Sequence, residues 1–158
     1  MRRKDREVTE PGEILRIVDT AKILHLGLMD GDFPYIVPLH YGYEYREGRL
    51  IFYMHGAREG HKLELIRRNP HVCVELECDV EPISGGDIPC KYGAAYASLI
   101  GRGKAALVTE EQEKRRALKL LMAHQTGRDF AIDGAMAASV EVMEVVLSEF
   151  TAKARPRI

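Results

Sequence analysis

The chain has 158 residues, with 23 lysines and arginines against 24 aspartates and glutamates, a formal net charge of −1. That is the length of one domain, without the surplus positive charge that would neutralise a nucleic-acid backbone. No stretch approaches the ~20 apolar residues of a membrane span, and the amino terminus lacks the apolar core of a signal peptide. The expectation is therefore a single domain over 1–158, soluble and cytoplasmic, binding neither nucleic acid nor membrane. Cys73, Cys78 and Cys90 are expected to be free thiols, because a chain of this length folds without staples.

In chain order, Thr9 precedes "EPGEILRIVDTA", where Ile14, Leu15, Val18 and Ala21 recur at helical spacing. Thr9 is the expected N-cap, and Pro11 suits a first turn. "KILHLGLM" reads as a strand and "DGD" as a turn. "FPYIVPLHYGYEY" alternates Tyr35, Val37, Leu39, Tyr41, Tyr43 and Tyr45 at period two, and "REGR" then turns into "LIFYMH". Together these predict a three-stranded antiparallel meander. Pro38 removes a ladder donor, which predicts an edge or a bulge.

"EGHKLELIRRNP" predicts a short helix with Leu63 and Ile66 inward, ended by Asn69-Pro70. "HVCVELECD" alternates, with Val72, Val74, Leu76 and Cys78 on one face and His71, Cys73, Glu75 and Glu77 on the other. Residues 79–93, rich in Gly and Pro, predict a long loop. "YASLIGRGKAALV" is a strand in which Gly101 and Gly103 mark a bend or a close backbone approach. "TEEQEKRRALKLLMAHQTG" is the clearest helix, with Thr109 and Gln112 as a capping box, Gly127 after its end, and Ala117, Leu118, Leu121 and Met122 as its apolar stripe. "SVEVMEVVLSEFTAK" predicts a last strand, with a helix left open by its glutamates. Six hairpin-linked strand runs predict a mainly β antiparallel barrel with small peripheral helices.

The stretch "FYMHGAREGHK", residues 52–62, concentrates the chemistry. His55 and His61 are too far apart for a zinc pair, and Cys73 and Cys78 point to opposite faces of one strand. A metal is therefore not expected there. A strand ending at His55 and a helix starting near Glu59 or Gly60 leave backbone N–H groups without intrahelical acceptors, and Lys62 and His61 add donors beside them. A phosphate fits such a site. From the residues alone, His55 can be a hydrogen-bonded structural residue or a catalytic one. The thiols of Cys73 and Cys90 carry no visible signal of a lowered pKa.

The stretch "PYIVPLHYGYEYREGRLIFYMHGAREGHKLELIRRNPHVCVEL" resembles the second and third strands, helix and fourth strand of the flavin-binding split β-barrel family related to pyridoxamine 5'-phosphate oxidase. Within it the chain is similar to the 5-nitroimidazole-resistance (Nim-type) reductases, and "MRRKDREVT", "YASLIGRGKA" and "TAKARP" extend the likeness over nearly the whole chain. The resemblance implies a six-stranded split β-barrel and a homodimer with FMN, or else FAD, at its interface. It also implies reduction of a small-molecule acceptor such as a nitroaromatic.

By the same resemblance, Val37, Pro38 and Leu39 flank the isoalloxazine, His55 and Gly56 lie beside the flavin, and His61 and Lys62 hold the phosphate. Ser98 approaches from the other side or the other subunit, and His55 takes part in substrate chemistry. Relatives usually carry Ser where this chain has Gly56 and often Arg where it has His61, which weakens the implied phosphate grip. The chain has no Trp and ends without the oxidase's substrate segment, so pyridoxamine phosphate oxidation is disfavoured. Two rival readings are a flavin carrier or sensor without its own catalysis, and a haem or tetrapyrrole binder with His25, His40 or His71 as axial ligand.

Overall fold

The structure is a computed structural model that describes residues 3–156. After a two-residue strand β1 (Glu7–Val8), helix α1 (Pro11–Thr20) leads into β2 (Ile23–Asp30), β3 (Phe33–His40), β4 (Gly42–Arg46) and β5 (Arg49–Gly56). Helix α2 (His61–Arg68) precedes the long strands β6 (His71–Ile83) and β7 (Gly93–Val108), followed by α3 (Glu111–Thr126), α4 (Gly134–Ala138) and β8 (Glu141–Arg155). The strands make one antiparallel sheet in the order β3-β2-β6-β7-β8-β5-β4, with β1 added on β8. The architecture is a split β-barrel with small peripheral helices.

All six predicted strand runs form, yet the sheet has eight strands. One of the two extra strands is β1. The other arises because residues 33–45 do not make a single strand. β3 pairs with β2 and β4 pairs with β5, and the two halves lie at opposite ends of the sheet, so the predicted meander is corrected to two separate hairpins. The break at Tyr41 has a tertiary cause. Its buried hydroxyl is shared between the carbonyls of Val18 (2.6 Å) and Ala21 (2.9 Å) at the end of α1. Its own carbonyl accepts from Gln125 Nε2 of α3 at 2.8 Å, which takes it out of any ladder.

Gly42 then lies against the backbone of α3 at Leu120 and Leu121. Pro38 sits, as its missing N–H requires, on β3, an edge strand of the sheet.

Several boundaries shift for local reasons. Glu10, not Thr9, is the N-cap residue of α1, and no side chain caps that helix. Glu110, not Thr109, caps α3, its carboxylate accepting from the N–H groups of Gln112 (3.0 Å) and Glu113 (2.8 Å). A carboxylate satisfies two orphan donors at once and also meets the positive helix end, and those bonds lower the Glu110 pKa. Gly127 ends α3 in the left-handed conformation at φ 70°, as expected. The predicted loop shrinks to 84–92, because β6 continues past an irregularity between Cys78 and Glu81 to Ile83 and pairs again with β7 from Gly93.

On β7, the register slips between Arg102 and Gly103, where β8 bulges at Ser148. Gly101 and Gly103 leave no room for a Cβ against Leu147 and the backbone of Val146, so the predicted close approach is real.

The barrel interior is filled by Leu24, Leu26, Leu50, Phe52, Met54, Val74, Leu76, Leu99 and Met143. Each large side chain so buried stabilises the fold by ~1.5–3 kcal/mol. A smaller cluster of Ile51, Tyr53, Ala117 and Val142 lies on the opposite face of β5, under α3. Ile17, also fully buried, joins the predicted apolar face of α1.

His124 is nearly enclosed, its side chain 3% exposed. Its Nε2 donates to the carbonyl of Ala21 at 2.9 Å, while Nδ1 has no hydrogen-bond partner. Burial, and then the ammonium of Lys22, lower its pKa below the ordinary 6.5. The unfolded chain therefore takes up this proton more readily than the folded one. The contribution of neutral His124 is complete above about pH 6.5 and is lost as pH falls through the folded-state value. The midpoint temperature is expected to drop between pH 8 and 5, and His124→Gln should flatten that slope; an unchanged slope in the variant removes His124 as its cause.

Candidate functional site

β4 pairs with β5 only as far as Gly42 opposite Tyr53. Beyond that register the chain has turned away at Tyr41. Met54, His55 and Gly56 therefore continue with β8 on one side and, among the described residues, have no strand partner on the other, because β3 pairs with β2 instead. The bend thus opens a wedge between β3 and the end of β5. Tyr35, Val37 and Leu39 are half-buried against the core, and Pro38 and His40 alternate to the exposed side. α2 closes the far end, where His61 Nε2 meets Asp30 at 2.6 Å and its ring packs edge-on against Tyr35 at 5.2 Å.

His55 continues the Ile51, Tyr53 face of β5 but is exposed, whereas those two lie under α3. Its pKa is lowered, first by partial burial and then by the neighbouring His40 and Lys62. Like charges brought together this way favour an anion among them. Lys62 lies over Gly56. A Cβ added there would sit 3.1 Å from both Cε and Nζ of the lysine, so the absent side chain lets the ammonium settle against the strand end.

Gly60 is the N-cap residue of α2 at φ 149°, with no side-chain cap, a backbone conformation open to glycine. The first backbone bonds at this end run from Leu63 and Glu64 to the Gly60 carbonyl. The N–H groups of His61 and Lys62 are thus left for a ligand. Bare amide donors, the positive end of a helix and an ammonium fit a phosphate group, and the wedge beside them is flanked by the half-buried Val37 and Leu39.

His55, Gly56, His61 and Lys62 are therefore together, with His40 at the end of β3 beside His55; Val37 and Leu39 turn inward to the core, and Pro38 shares the exposed side of β3 with His40. Ser98 is not with them. It pairs with Lys153 of β8, whereas His55 pairs with Val142 of the same strand. Those two positions stand roughly 35 Å apart along an extended chain, so only a second copy could bring Ser98 to this wedge.

Sequence reasoning did not single out Asp30 and Tyr35 as partners of His61, because "DGD" reads only as a turn. His40 entered as a haem-ligand candidate, yet stands beside His55. Of the other two such candidates, His71 bonds Asn69 at 3.0 Å and His25 bonds Glu75 at 2.9 Å.

A well-formed cavity lies elsewhere. It measures about 1040 Å³ and spans the outer face of β2, β3, β6, β7 and β8, lined in part by Met29, Ile36, Cys73 and Phe150. Met29, Phe33, Ile36 and Ile100 on the same strands are more than half exposed, an unusual concentration of apolar surface. The same cavity is also lined by Arg49, His71, Arg102 and Lys104, so cationic groups are not confined to the wedge. No helix among the described residues is long and apolar enough to cross a membrane.

A family model described as pyridoxamine 5'-phosphate oxidase matches residues 10–154. No curated protein matches the chain. Among solved structures, a candidate 5-nitroimidazole antibiotic resistance protein from Bacteroides thetaiotaomicron is similar at 28% identity, over 93% of this chain and 85% of that one, with a TM-score of 0.78. A candidate pyridoxamine 5'-phosphate oxidase from Listeria innocua is similar at 28% identity, over 88% and 94%, with a TM-score of 0.57. A flavocytochrome from Azotobacter vinelandii reaches a TM-score of 0.79 at 17% identity, over 99% and 72%, a likeness of fold alone.

Proposed function

This chain belongs to the flavin-binding pyridoxamine 5'-phosphate oxidase family, and from that membership we propose that it is a cytoplasmic, homodimeric FMN-dependent reductase of small acceptors such as 5-nitroimidazoles. One arrangement supports the reading: the Lys62 ammonium lies against the strand end at Gly56, beside a helix end whose first N–H groups are uncapped. FMN satisfies that site with its phosphate and the wedge with its ring; a phosphate-free flavin would leave the cations unpaired. The likeness to the candidate resistance protein supports a nitroaromatic acceptor.

In this reading the bound flavin supplies the electrons. Lys62, His61 and the α2 amides hold the phosphate, with His61 oriented by Asp30. Val37, Pro38 and Leu39 flank the ring and exclude water from it. His55, whose lowered pKa keeps it mostly neutral near neutral pH, orients the acceptor, or delivers a proton to it as a general acid once the flavin phosphate offsets the charge of Lys62. The exposed apolar face of the sheet receives the second copy, which brings its Ser98 to the wedge.

The purified protein is expected to sediment as a dimer and to release FMN on heating, near one per chain. His55→Ala is expected to keep the flavin and lose acceptor turnover by ~10²-fold or more. A protein that stays colourless with FMN and FAD sinks the reading. Bound flavin that reduces no acceptor faster than free FMN leaves a carrier, and full turnover in His55→Ala removes the histidine from the chemistry.

A further inference from the structure

Outside the wedge, one group of side chains has donors without a counter-ion. His25 on β2 stands directly opposite Glu75 on β6, and Glu77 is two residues on, on the same outward face. His25 Nδ1 lies 2.9 Å from Glu75 Oε2 and 4.0 Å from Glu77 Oε2, and the three ligand atoms fall within 4.8 Å of one another. The hairpin register and the two-residue period of β6 fix this placement, so the donors come from two paired strands rather than from a loop.

Several carboxylates of this chain are paired with an arginine. Glu44 is matched by Arg116, Asp79 by Arg16 and Glu149 by Arg102. Among the described residues, Glu75 and Glu77 have ion pairs only with His25. Two carboxylates and an imidazole this close together offer a cation three ligand atoms from two paired strands. His25 and Glu75 also line the 1040 Å³ cavity, a concave setting rather than a solvated convex face.

We propose that His25, Glu75 and Glu77 bind a divalent transition-metal ion of the Zn²⁺ or Mn²⁺ class, through one imidazole nitrogen and two carboxylate oxygens. Bonds of ~2.0–2.2 Å at tetrahedral angles separate neighbouring ligand atoms by roughly 3.4 Å. The observed 2.9 and 4.0 Å bracket that spacing, so side-chain shifts of about half an ångström complete the set. A nitrogen ligand favours these ions over Mg²⁺ and Ca²⁺, which take oxygen. Three protein ligands leave a position for water or for a donor from another molecule. The site shares no residue with the wedge, but it lies on the sheet face assigned above to the second copy, so sedimentation of the metal-free and metal-loaded chain accompanies the titration.

The test is calorimetric titration of the full, metal-free chain with Zn²⁺ and, separately, with Mn²⁺, in buffers of different ionisation enthalpy. One ion per chain is expected. His25→Ala, Glu75→Gln and Glu77→Gln are each expected to weaken binding roughly tenfold or more, with an unchanged thermal midpoint in metal-free buffer showing that they fold. In a second readout, Mn²⁺ should broaden the imidazole NMR signals of His25 in any variant that still binds. No saturable binding at millimolar metal overturns the proposal. Wild-type affinity in the Glu75→Gln and His25→Ala chains does so too, and would move the ion to His71 and Cys73 on the same face.

Discussion

Lys62→Met is expected to weaken FMN binding by ~10–100-fold while leaving the affinity for riboflavin, which has no phosphate, within a factor of two or so. A charge-assisted hydrogen bond is worth ~1.5–3 kcal/mol, and each 1.4 kcal/mol is tenfold. Methionine keeps the length and apolar stem of the lysine, so the contact over Gly56 survives while the ammonium goes. Fluorescence quenching titrations with the two flavins measure the difference directly. Equal losses for both would place Lys62 against the ring rather than the phosphate. No loss for either would remove α2 from the cofactor site.

The second large effect lies at the hinge of the wedge. Gly42→Ala is expected to destabilise the fold by about 3 kcal/mol. The added Cβ would fall 2.5 Å from the carbonyl carbon of Leu120 and from Cα of Leu121. Both are backbone atoms of α3, so no rotamer change relieves the clash. Either α3 lifts from β4 and β5, uncovering Ile51 and Tyr53, or the bend at Tyr41 opens. Gly12→Ala is the matched control, because nothing lies within 4 Å of the corresponding Cβ. It should be neutral or up to ~1 kcal/mol stabilising. Urea denaturation of the pair decides the matter: a loss below about 1 kcal/mol for Gly42→Ala would mean that α3 is not firmly seated there.

The phosphate end of the site was legible because its parts are close in sequence. A strand end, two small residues and a helix start with Lys62 occur within eleven positions of "FYMHGAREGHK", and orphan amides at a helix start follow from backbone geometry alone. The partner of His61 was not legible, since Asp30 is 31 residues away and its local signal is only that of a turn. The His25, Glu75 and Glu77 set was half legible. Alternation put both glutamates on one outward face, but only strand pairing could place His25 across from them.

The sequence by itself determined the element types and most of their inward faces. Period-two alternation and turn residues act over a few positions and need no partner, so β6, β7, β8 and α3 formed close to where they were expected, although β6 runs on to Ile83 and the N-caps of α1 and α3 each fall one residue later. Only the tertiary structure decided that the alternating run 33–45 breaks. The tyrosine ladder is an unbroken strand by pattern. Yet the carbonyls of Val18 and Ala21, the Gln125 amide and the backbone of α3 take hold of Tyr41 and Gly42 from segments 20 to 84 residues away. That break turns one strand into β3 and β4 and opens the wedge between β3 and β5. Local pattern carries no information about such distant contacts, because they come into being only when the helices pack.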